Sequence, residues 1–237
     1  GFPLGHSLFG GGWIYTMKNN ILDIGIVVGL DYKNPSIDPH HELQLLKSHP
    51  WIRKILDGAE ILAYGSKTLP EGGIYSLPKL YVSGAMLIGD SAGFLNGQRL
   101  KGIHLAMKSG MIAAEAAKIA LDSNDFSENN LQNYDRLFKE SWAYKELYKV
   151  RNFHQGFNRG LVYGIANAGI GLFTGGRGFG VYNKLSSSHG HKHMQKSAGS
   201  FNKYDDINYD GKYILDKLTD VYYSATSHDE DQAPHLH

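Results

Sequence analysis

The feature that most constrains this sequence is the run of residues 85–117, which reads AMLIGDSAGFLNGQRLKGIHLAMKSGMIAAEAA. An apolar segment ends at Gly89 and Asp90, Gly93 follows, and a helical pattern rich in Ala, Met, Ile and Leu begins near Gly102. The run predicts a strand, a glycine turn that lets the backbone approach a ligand, and a helix whose free N–H groups face an anion or an electron-rich ring. We therefore expect an α/β fold.

A second interpretation of the same turn is a hydrolase nucleophile. Residues 89–93 satisfy the GxSxG pattern, which would place Ser91 on the nucleophile elbow of an α/β-hydrolase. That elbow needs a helix directly after the turn, whereas Asn96 and Gly97 interrupt the pattern and helical periodicity resumes only near Gly102. We favour a ligand turn, with the ordinary strand-turn-helix unit of any α/β protein as the structural alternative.

The rest of the sequence predicts a hairpin, several helices and one further strand. Residues 9–28 hold two β-rich runs about a polar turn at Lys18 to Asn20, which favours an antiparallel hairpin. We expect the region 9–66 to form a mostly antiparallel sheet. The other predicted elements are helices over 41–47, 52–56, 102–121, 128–150 and 214–221 and a strand over 60–65.

Charge and cysteine content exclude several classes of function. The chain has 24 basic and 23 acidic side chains, so it lacks the excess of positive charge that nucleic acid binding requires. It contains no Cys, which excludes disulfides, thiolate zinc sites, Cys nucleophiles and Cys-ligated iron-sulfur clusters within these residues. Nucleic acid is therefore not expected as a partner.

An uncharged stretch lies between Arg159 and Arg177. Residues 160–176 contain six Gly and no charge, and a membrane span needs roughly 20 apolar residues in a continuous helix. We expect this stretch to be too short and too broken to cross a bilayer. A buried, glycine-rich core segment is one reading of it.

The region 184–210 is polar and is expected to form an exposed connector. Three histidines alternate within it, at His189, His191 and His193. Alternating His side chains can bind a metal, but no acidic or Cys partner is close in sequence. We favour a solvated loop and predict no metal site.

The run 85–117 resembles the second flavin fingerprint of FAD enzymes with the glutathione-reductase-like fold. The resemblance implies that Asp90 holds a ribitol hydroxyl and that the backbone at the helix start lies against the pyrimidine side of the flavin. The implied FAD-binding residues are Gly89, Asp90, Gly93, Lys101, Gly102, Ile103 and His104. No GxGxxG opens the chain, and the first residue is Gly1, so the phosphate-binding half is expected upstream in a longer parent protein.

The resemblance is narrower over residues 25–80, which are similar to the electron transfer flavoprotein-ubiquinone oxidoreductase family. The segments that carry it are VGLDYKNP, HPWIRKILDGA, AYGSKTLPEGG and SLPKL, with LFGGGW, KGIHLAMKSG, WAYKELYKVRN and HDEDQAPHL in the same order elsewhere. It implies part of the flavoprotein fold, an antiparallel-sheet ubiquinone-binding domain and a segment lying on one membrane surface.

In this family an aromatic-Gly-Gly turn lies against the ubiquinone headgroup, and Phe9, Gly10 and Gly11 match it. Glycine lets the backbone come within hydrogen-bonding distance of a quinone carbonyl, where a Cβ would intrude. Phe9 lacks the hydroxyl of the Tyr often found at this position. A tight strand entry without ligand is the alternative, and His6 is a candidate proton donor.

The family resemblance gives residues 160–176 a membrane role. The implied lipid-facing side chains are Leu161, Val162, Tyr163, Ile165, Ile170, Leu172 and Phe173. Arg159 and Arg177 would then lie near headgroup phosphates.

The resemblance also implies a division into four regions. These are a ubiquinone-binding β-sheet domain at 1–78, the end of the FAD domain at 79–122, a helical and membrane-surface part at 123–183, and a connector with a last helix at 184–237. The last part would lead to an iron-sulfur domain that this cysteine-free chain lacks.

The function implied is electron transfer from reduced electron transfer flavoprotein, through an iron-sulfur cluster and FAD of the parent protein, to ubiquinone. The protein would lie on one leaflet of the mitochondrial inner membrane at its matrix face, or of the bacterial inner membrane at its cytoplasmic face. Two alternatives stay open: a geranylgeranyl-reductase-like FAD oxidoreductase, and a truncated, non-catalytic membrane-binding module.

Overall fold

The computed structural model describes residues 1–6, 8–180, 184–185, 192, 194–196, 204–225 and 229–233. The three alternating histidines, His189, His191 and His193, for which a solvated loop is favoured over a metal site, lie outside these residues. The chain divides into two compact units, the first formed by Gly1–Lys67 with Ser188–His237 and the second by Thr68–Ser187.

The first unit contains the predicted hairpin. Strand β1 (Gly10–Thr16) pairs antiparallel with β2 (Leu22–Val28), in a register that sets Ile14 opposite Ile24. The polar turn closes the hairpin with Asn19 at φ 61°, a left-handed conformation that Asn tolerates better than most residues. The hairpin prediction is confirmed.

Two short helices follow, also as predicted. Helix α1 (Pro39–Ser48) begins at Asp38, whose carboxylate accepts the N–H groups of the first turn, and α2 (Pro50–Leu56) begins after His49. A core of Ile52, Leu56, Tyr213 and Ile214 packs beneath the hairpin.

The predicted strand 60–65 and the wider sheet are wrong for the described residues, where the first unit holds only the two-stranded sheet. The segment is extended, but the N–H of Tyr64 donates to the carbonyl of Tyr223 (3.1 Å) rather than to a neighbouring strand.

The last helix, α9 (Lys217–Tyr223), begins three residues later than predicted. The N–H groups of Lys212, Tyr213 and Ile214 donate to the Asp210 carboxylate (2.8–2.9 Å), which holds them in a turn. Asp216 then caps the helix by accepting the N–H of Thr219. Hydrophobic periodicity does not indicate such a turn, in which a side chain accepts backbone N–H groups that would otherwise be available to a helix.

Helix α9 attaches to α1 through buried polar side chains. Asp220 lies 2.6 Å from Nε2 of His40 and accepts a hydrogen bond from Gln44 (2.7 Å), while the N–H of Leu215 donates to the side-chain oxygen of Gln44 (3.1 Å). Burial lowers the pKa of His40, although the neighbouring carboxylate of Asp220 raises it in part.

The second unit is mainly helical. Strands β3 (Tyr81–Val82) and β4 (Ala85–Met86) form a small antiparallel hairpin, and the chain then turns into the long helix α3 (Ile103–Ser123). The core of this unit includes Phe94, Leu105 and Ile112. The strand-turn-helix prediction is confirmed, although the strand is only two residues long.

The single helix predicted over 128–150 is wrong. The structure has three helices there, α4 (Glu128–Leu131), α5 (Asn133–Glu140) and α6 (Trp142–Lys149). Ser141 separates α5 from α6, because its hydroxyl accepts the N–H of Tyr144 and so caps a new helix.

Helices α7 (Phe153–Gly156) and α8 (Leu161–Phe173) complete the unit, and α8 covers most of the uncharged stretch. Across the described residues, no helix combines the length and the hydrophobicity needed to cross a bilayer. The α/β prediction is confirmed at the level of mixed helices and small antiparallel sheets.

Candidate functional sites

Two adjacent glycines at the start of β1 differ in what surrounds them. Gly10 has φ 152°, and a Cβ on it would lie 2.1 Å from the carbonyl oxygen of Val27, so the backbone there requires glycine. A Cβ on Gly11 would meet nothing within 4 Å. The fold therefore explains Gly10 and leaves Gly11 unexplained.

The backbone of Gly10 faces the free edge of the hairpin. The N–H of Gly29 donates to the carbonyl of Phe9 (2.7 Å), and the N–H of Met17 donates to that of Ile21 (2.8 Å). Antiparallel pairing alternates along a strand, so the odd-numbered residues of β1 point their N–H and C=O groups at β2. The N–H and C=O groups of Gly10 and Gly12 therefore point away from β2. On that side, no further strand of the described chain pairs with them.

Phe9 and Trp13 are the aromatic residues nearest in sequence to Gly10 and Gly11. Phe9 is half-buried and His6 is exposed. The indole of Trp13 lies over Gly25 in the facing strand, where a Cβ would come within 2.1 Å of the ring, and its Nε1 donates to Asp23 (3.3 Å). The three predicted quinone contacts are thus consecutive at the entry of β1, and the nearby Trp13 ring is fixed over the facing strand.

The turn after β4 is held in place by α3. The N–H of Gly89 donates to the hydroxyl of Ser109 (2.9 Å), which in turn donates to the carbonyl of Ala106 (2.7 Å). Gly89 has φ 73° and Gly93 has φ 87°, both left-handed conformations that favour glycine. This scaffold leaves Asp90 half-buried at the start of a short 3-10 helix.

The N-terminus of α3 is suited to a ligand. Gly102 is its N-cap, no side chain of the described residues caps the helix, and its first turn holds no acidic residue. A Cβ on Gly102 would lie 3.3 Å from Leu95 and 3.4 Å from the carbonyl of Phe94, so the backbone is tightly packed. Lys101 forms a bridge with Asn96 just before the helix. The free N–H groups of this helix start fit an electron-rich ring.

The carboxylate of Glu146 also lies beside this helix start, which the sequence did not indicate. Nε2 of His104 lies 3.1 Å from both carboxylate oxygens of Glu146 in α6, and Asn96 donates to the same carboxylate (2.9 Å). Partial burial raises the pKa of Glu146, but the hydrogen bonds from Asn96 and His104 outweigh it, so the pKa lies below the usual value. The ring of Trp142 stacks on His104 at 5.9 Å.

Helix α8 carries its apolar side chains outward. Val162, Ile165, Leu172 and Phe173 are 84%, 60%, 71% and 93% exposed. Of the other predicted lipid contacts, Leu161 and Ile170 are exposed at about a third of their surface, and Tyr163 is half-buried against Phe179 (5.0 Å between ring centroids).

The inner side of α8 is polar and glycine-rich. Asn167 is buried, and its amide donates to the carbonyl of Asn152 (2.9 Å) and accepts the N–H of Phe179 (2.9 Å). A Cβ on Gly178 would lie 2.0 Å from this side-chain oxygen, and one on Gly156 would lie 2.4 Å from its nitrogen. The helix is therefore attached by its polar side.

The hydrolase alternative finds no support in the described residues. Ser91 is exposed in a 3-10 helix, and α3 begins only at Ile103, so the strand-elbow-helix geometry of a hydrolase is lacking. No group of three or more His, Cys, Asp or Glu in the described part of the chain is arranged to hold a metal ion.

Comparison with known proteins gives consistent results. Residues 1–69 match a family described as "ETF-QO, ubiquinone-binding". The chain is 39% identical over 240 residues to the mitochondrial electron transfer flavoprotein-ubiquinone oxidoreductase of Oryza sativa subsp. japonica, matching all of this chain and 40% of that protein. It is 37% identical over 238 residues to the protein of that name from Pseudomonas aeruginosa, again over all of this chain and 43% of the relative.

The relative from Saccharomyces cerevisiae, named a probable mitochondrial enzyme of the same kind, is 37% identical over 268 residues. It too is covered over 40% of its length by the whole of this chain. The chain thus spans about 40% of the length of these curated relatives and is related throughout to that part of them.

Proposed function

We propose that this chain, a relative of the electron transfer flavoprotein-ubiquinone oxidoreductases, is the quinone-reducing and membrane-contacting part of such an enzyme. In the full protein, electrons from reduced electron transfer flavoprotein would pass through an iron-sulfur cluster and FAD to ubiquinone. The cluster would need ligands from outside these residues, because the chain has no Cys. The proposed location is one leaflet of a mitochondrial or bacterial inner membrane.

The observation that carries the proposal is the open edge of β1 at Gly10 and Gly11, within the matched residues 1–69. The outward N–H and C=O groups of Gly10 offer a donor and an acceptor, and the space around Gly11 lets a quinone ring approach the strand. A quinone carbonyl would accept a hydrogen bond from the backbone here. Protons would reach the reduced quinone by way of water, with His6 as a candidate donor.

The FAD would lie against the second unit. Asp90 would accept a hydrogen bond from a ribitol hydroxyl, and Gly89 and Gly93 would keep the turn free of side chains. At the start of α3, the backbone of Lys101, Gly102, Ile103 and His104 would direct N–H groups at the pyrimidine side of the ring. Bound FAD would supply the two-electron carrier that the chain's own residues lack. The helix dipole would stabilise negative charge at that side.

The membrane contact is supported by α8. A helix that buries Asn167 and exposes Val162, Leu172 and Phe173 is arranged for an apolar environment outside the protein. At 13 residues it is suited to lying in the interface of one leaflet. Quinone is dissolved in the same lipid, so such an anchor would keep the enzyme at its substrate.

The quinone contact is tested by replacing Gly11 with Leu in the full-length protein. We expect quinone reduction to be lost while reduction of the flavin by the upstream donor continues, since a Cβ at Gly11 meets nothing within 4 Å. Gly65→Leu is the matched control, because a Cβ on Gly65 also meets nothing within 4 Å. A Gly11→Leu protein that reduced quinone at the normal rate would exclude this edge as the site.

The flavin contact is tested by Asp90→Ala. A charge-assisted hydrogen bond contributes roughly 1.5–3 kcal/mol, so we expect FAD retention in the full-length protein to weaken about ten-fold or more. The measurement is flavin absorbance per protein after dialysis. Unchanged flavin content would contradict the role assigned to Asp90.

A further inference from the structure

We infer that Glu146 and His104 form a charge pair that tunes how strongly the start of α3 favours reduced over oxidised flavin. The inference rests on the proposed flavin site and assigns positioning residues to it. Neither side chain is required to touch the flavin. They act through the charge that they place beside the N–H groups of the helix.

The pair is fixed by contacts from three segments of the second unit. The carboxylate of Glu146 comes from α6, the imidazole of His104 from the first turn of α3, and the amide of Asn96 from the loop between the turn and the helix. Asn96 is fully buried, and the N–H and C=O groups of Asn96 and Lys101 bond to each other across this loop. The carboxylate is therefore held close to the helix start.

The side chains that surround the carboxylate make its charge state well defined. Asn96 and His104 donate to it, and the nearby guanidinium of Arg99 lowers its pKa further. Glu146 is thus ionised at neutral pH. An ionised carboxylate here opposes the positive pole of the helix, and the hydrogen bond from the imidazole of His104 offsets that carboxylate.

The two members of the pair have opposite expected effects. Glu146→Gln keeps a side chain that can hydrogen bond and removes the negative charge, so reduced flavin should be favoured. His104→Gln removes the compensating imidazole and leaves the negative charge, so oxidised flavin should be favoured. A purely structural role would loosen the same loop in both variants and shift the preference the same way.

The experiment measures the midpoint potential of FAD in the full-length protein by spectroelectrochemistry. We expect Glu146→Gln to raise the potential and His104→Gln to lower it, each corresponding to about a five-fold change in the ratio of the affinities for the two redox forms, as for one charge at short range in a partly solvated site. Glu146→Asp restores the charge and should return the potential towards that of the wild type. Glu140 is exposed and pairs with Arg136 of its own helix, so Glu140→Gln is the control.

The outcomes separate the inference from the proposed function. A wild-type protein that holds no FAD contradicts the proposed function itself. Normal FAD content with potentials that do not move, or that move in the same direction in both variants, overturns the charge pair alone. FAD content and the thermal midpoint of each variant identify any protein that fails to fold. If Glu146→Gln fails to fold, a lowered potential in His104→Gln is the required result, and an unchanged potential there overturns the inference.

Discussion

Helices α3 and α8 are both apolar in sequence, yet α3 packs an apolar side against the second unit and α8 packs a polar side against it. Helix α3 buries Leu105, Ile112 and Ala116 in the core. Helix α8 buries Gly164 and Asn167 and leaves its large apolar side chains outside. The first helix is held by the hydrophobic effect, and the second by hydrogen bonds and close backbone packing.

This difference shows why hydrophobicity alone does not identify a core helix. An apolar helix that is attached through polar groups keeps its apolar surface for a contact outside the unit. Helix α9 of the first unit follows the same arrangement, since it buries Asp220 and exposes Leu218 and Tyr222. The four predictions below test this contrast.

The largest effect is expected from the double variant Leu172→Asp with Phe173→Asp in α8. Removing two side chains from lipid costs about 4 kcal/mol, which corresponds to roughly a thousand-fold weaker partitioning into vesicles of phosphatidylcholine and cardiolipin. The measurement is co-sedimentation of the full-length protein with such vesicles. Its unfolding midpoint should stay unchanged, because both side chains are exposed.

Leu218→Asp with Tyr222→Asp in α9 is the matched control, since these side chains are 86% and 84% exposed. If both double variants release the protein equally, the membrane contact is not specific to α8. If neither does, the lipid role of α8 is wrong.

Leu105→Ala in α3 should have the next largest effect. The side chain is fully buried, and a core Leu→Ala change costs about 3 kcal/mol through lost burial and the cavity that remains. Denaturant unfolding measures it. Met107→Ala, on the exposed side of the same helix, should change the unfolding free energy by less than about 0.5 kcal/mol, and equal losses would contradict the assignment of a buried and an exposed side.

Asn167→Leu tests the polar attachment of α8. The variant removes one donor from the carbonyl of Asn152, which keeps the N–H of Gly156 (3.3 Å), and leaves the N–H of Phe179 without its acceptor on Asn167. The lost hydrogen bonds cost about 2 kcal/mol although the new residue is apolar. Hydrogen exchange should rise at Phe179. Asn129→Leu, at an exposed position, serves as comparison; a stabilised Asn167→Leu protein would show that α8 gains from apolar burial after all.

The smallest effect is expected from pH at the buried polar contact of α9. Because burial lowers the pKa of His40 below its usual 6.5, the unfolded chain takes up a proton before the folded chain does. The stability of the first unit should therefore fall as the pH drops below about 6.5. His40→Gln should reduce this slope in denaturant unfolding between pH 7 and 5, and an unchanged slope would assign it to other groups.

The sequence predicted the elements whose signals are local. Asn19 and Asn20 lie in the hairpin turn, and Gly89 to Gly102 mark the strand-turn-helix. It did not predict the break at Ser141, because periodicity continues through a side chain that caps the next helix.

The candidate sites divide in the same way. The residues beside the turns, such as Gly11 and Asp90, can be proposed from short motifs. The pairing of His104 with Glu146 joins residues 42 positions apart, and no local pattern indicates it. The orientation of α8 was also beyond sequence analysis, since a run of glycine and apolar residues does not say that Asn167 faces inward.

The contrast between Gly10 and Gly11 has a consequence for natural variation. Selection for folding alone would retain Gly10, whose backbone conformation and contact with Val27 admit no side chain. It would not retain Gly11, because a Cβ there meets nothing within 4 Å. With Gly11 as the proposed quinone contact, a lineage that kept the fold but no longer used quinone is expected to lose the second glycine first, and a comparison of related sequences would show that loss.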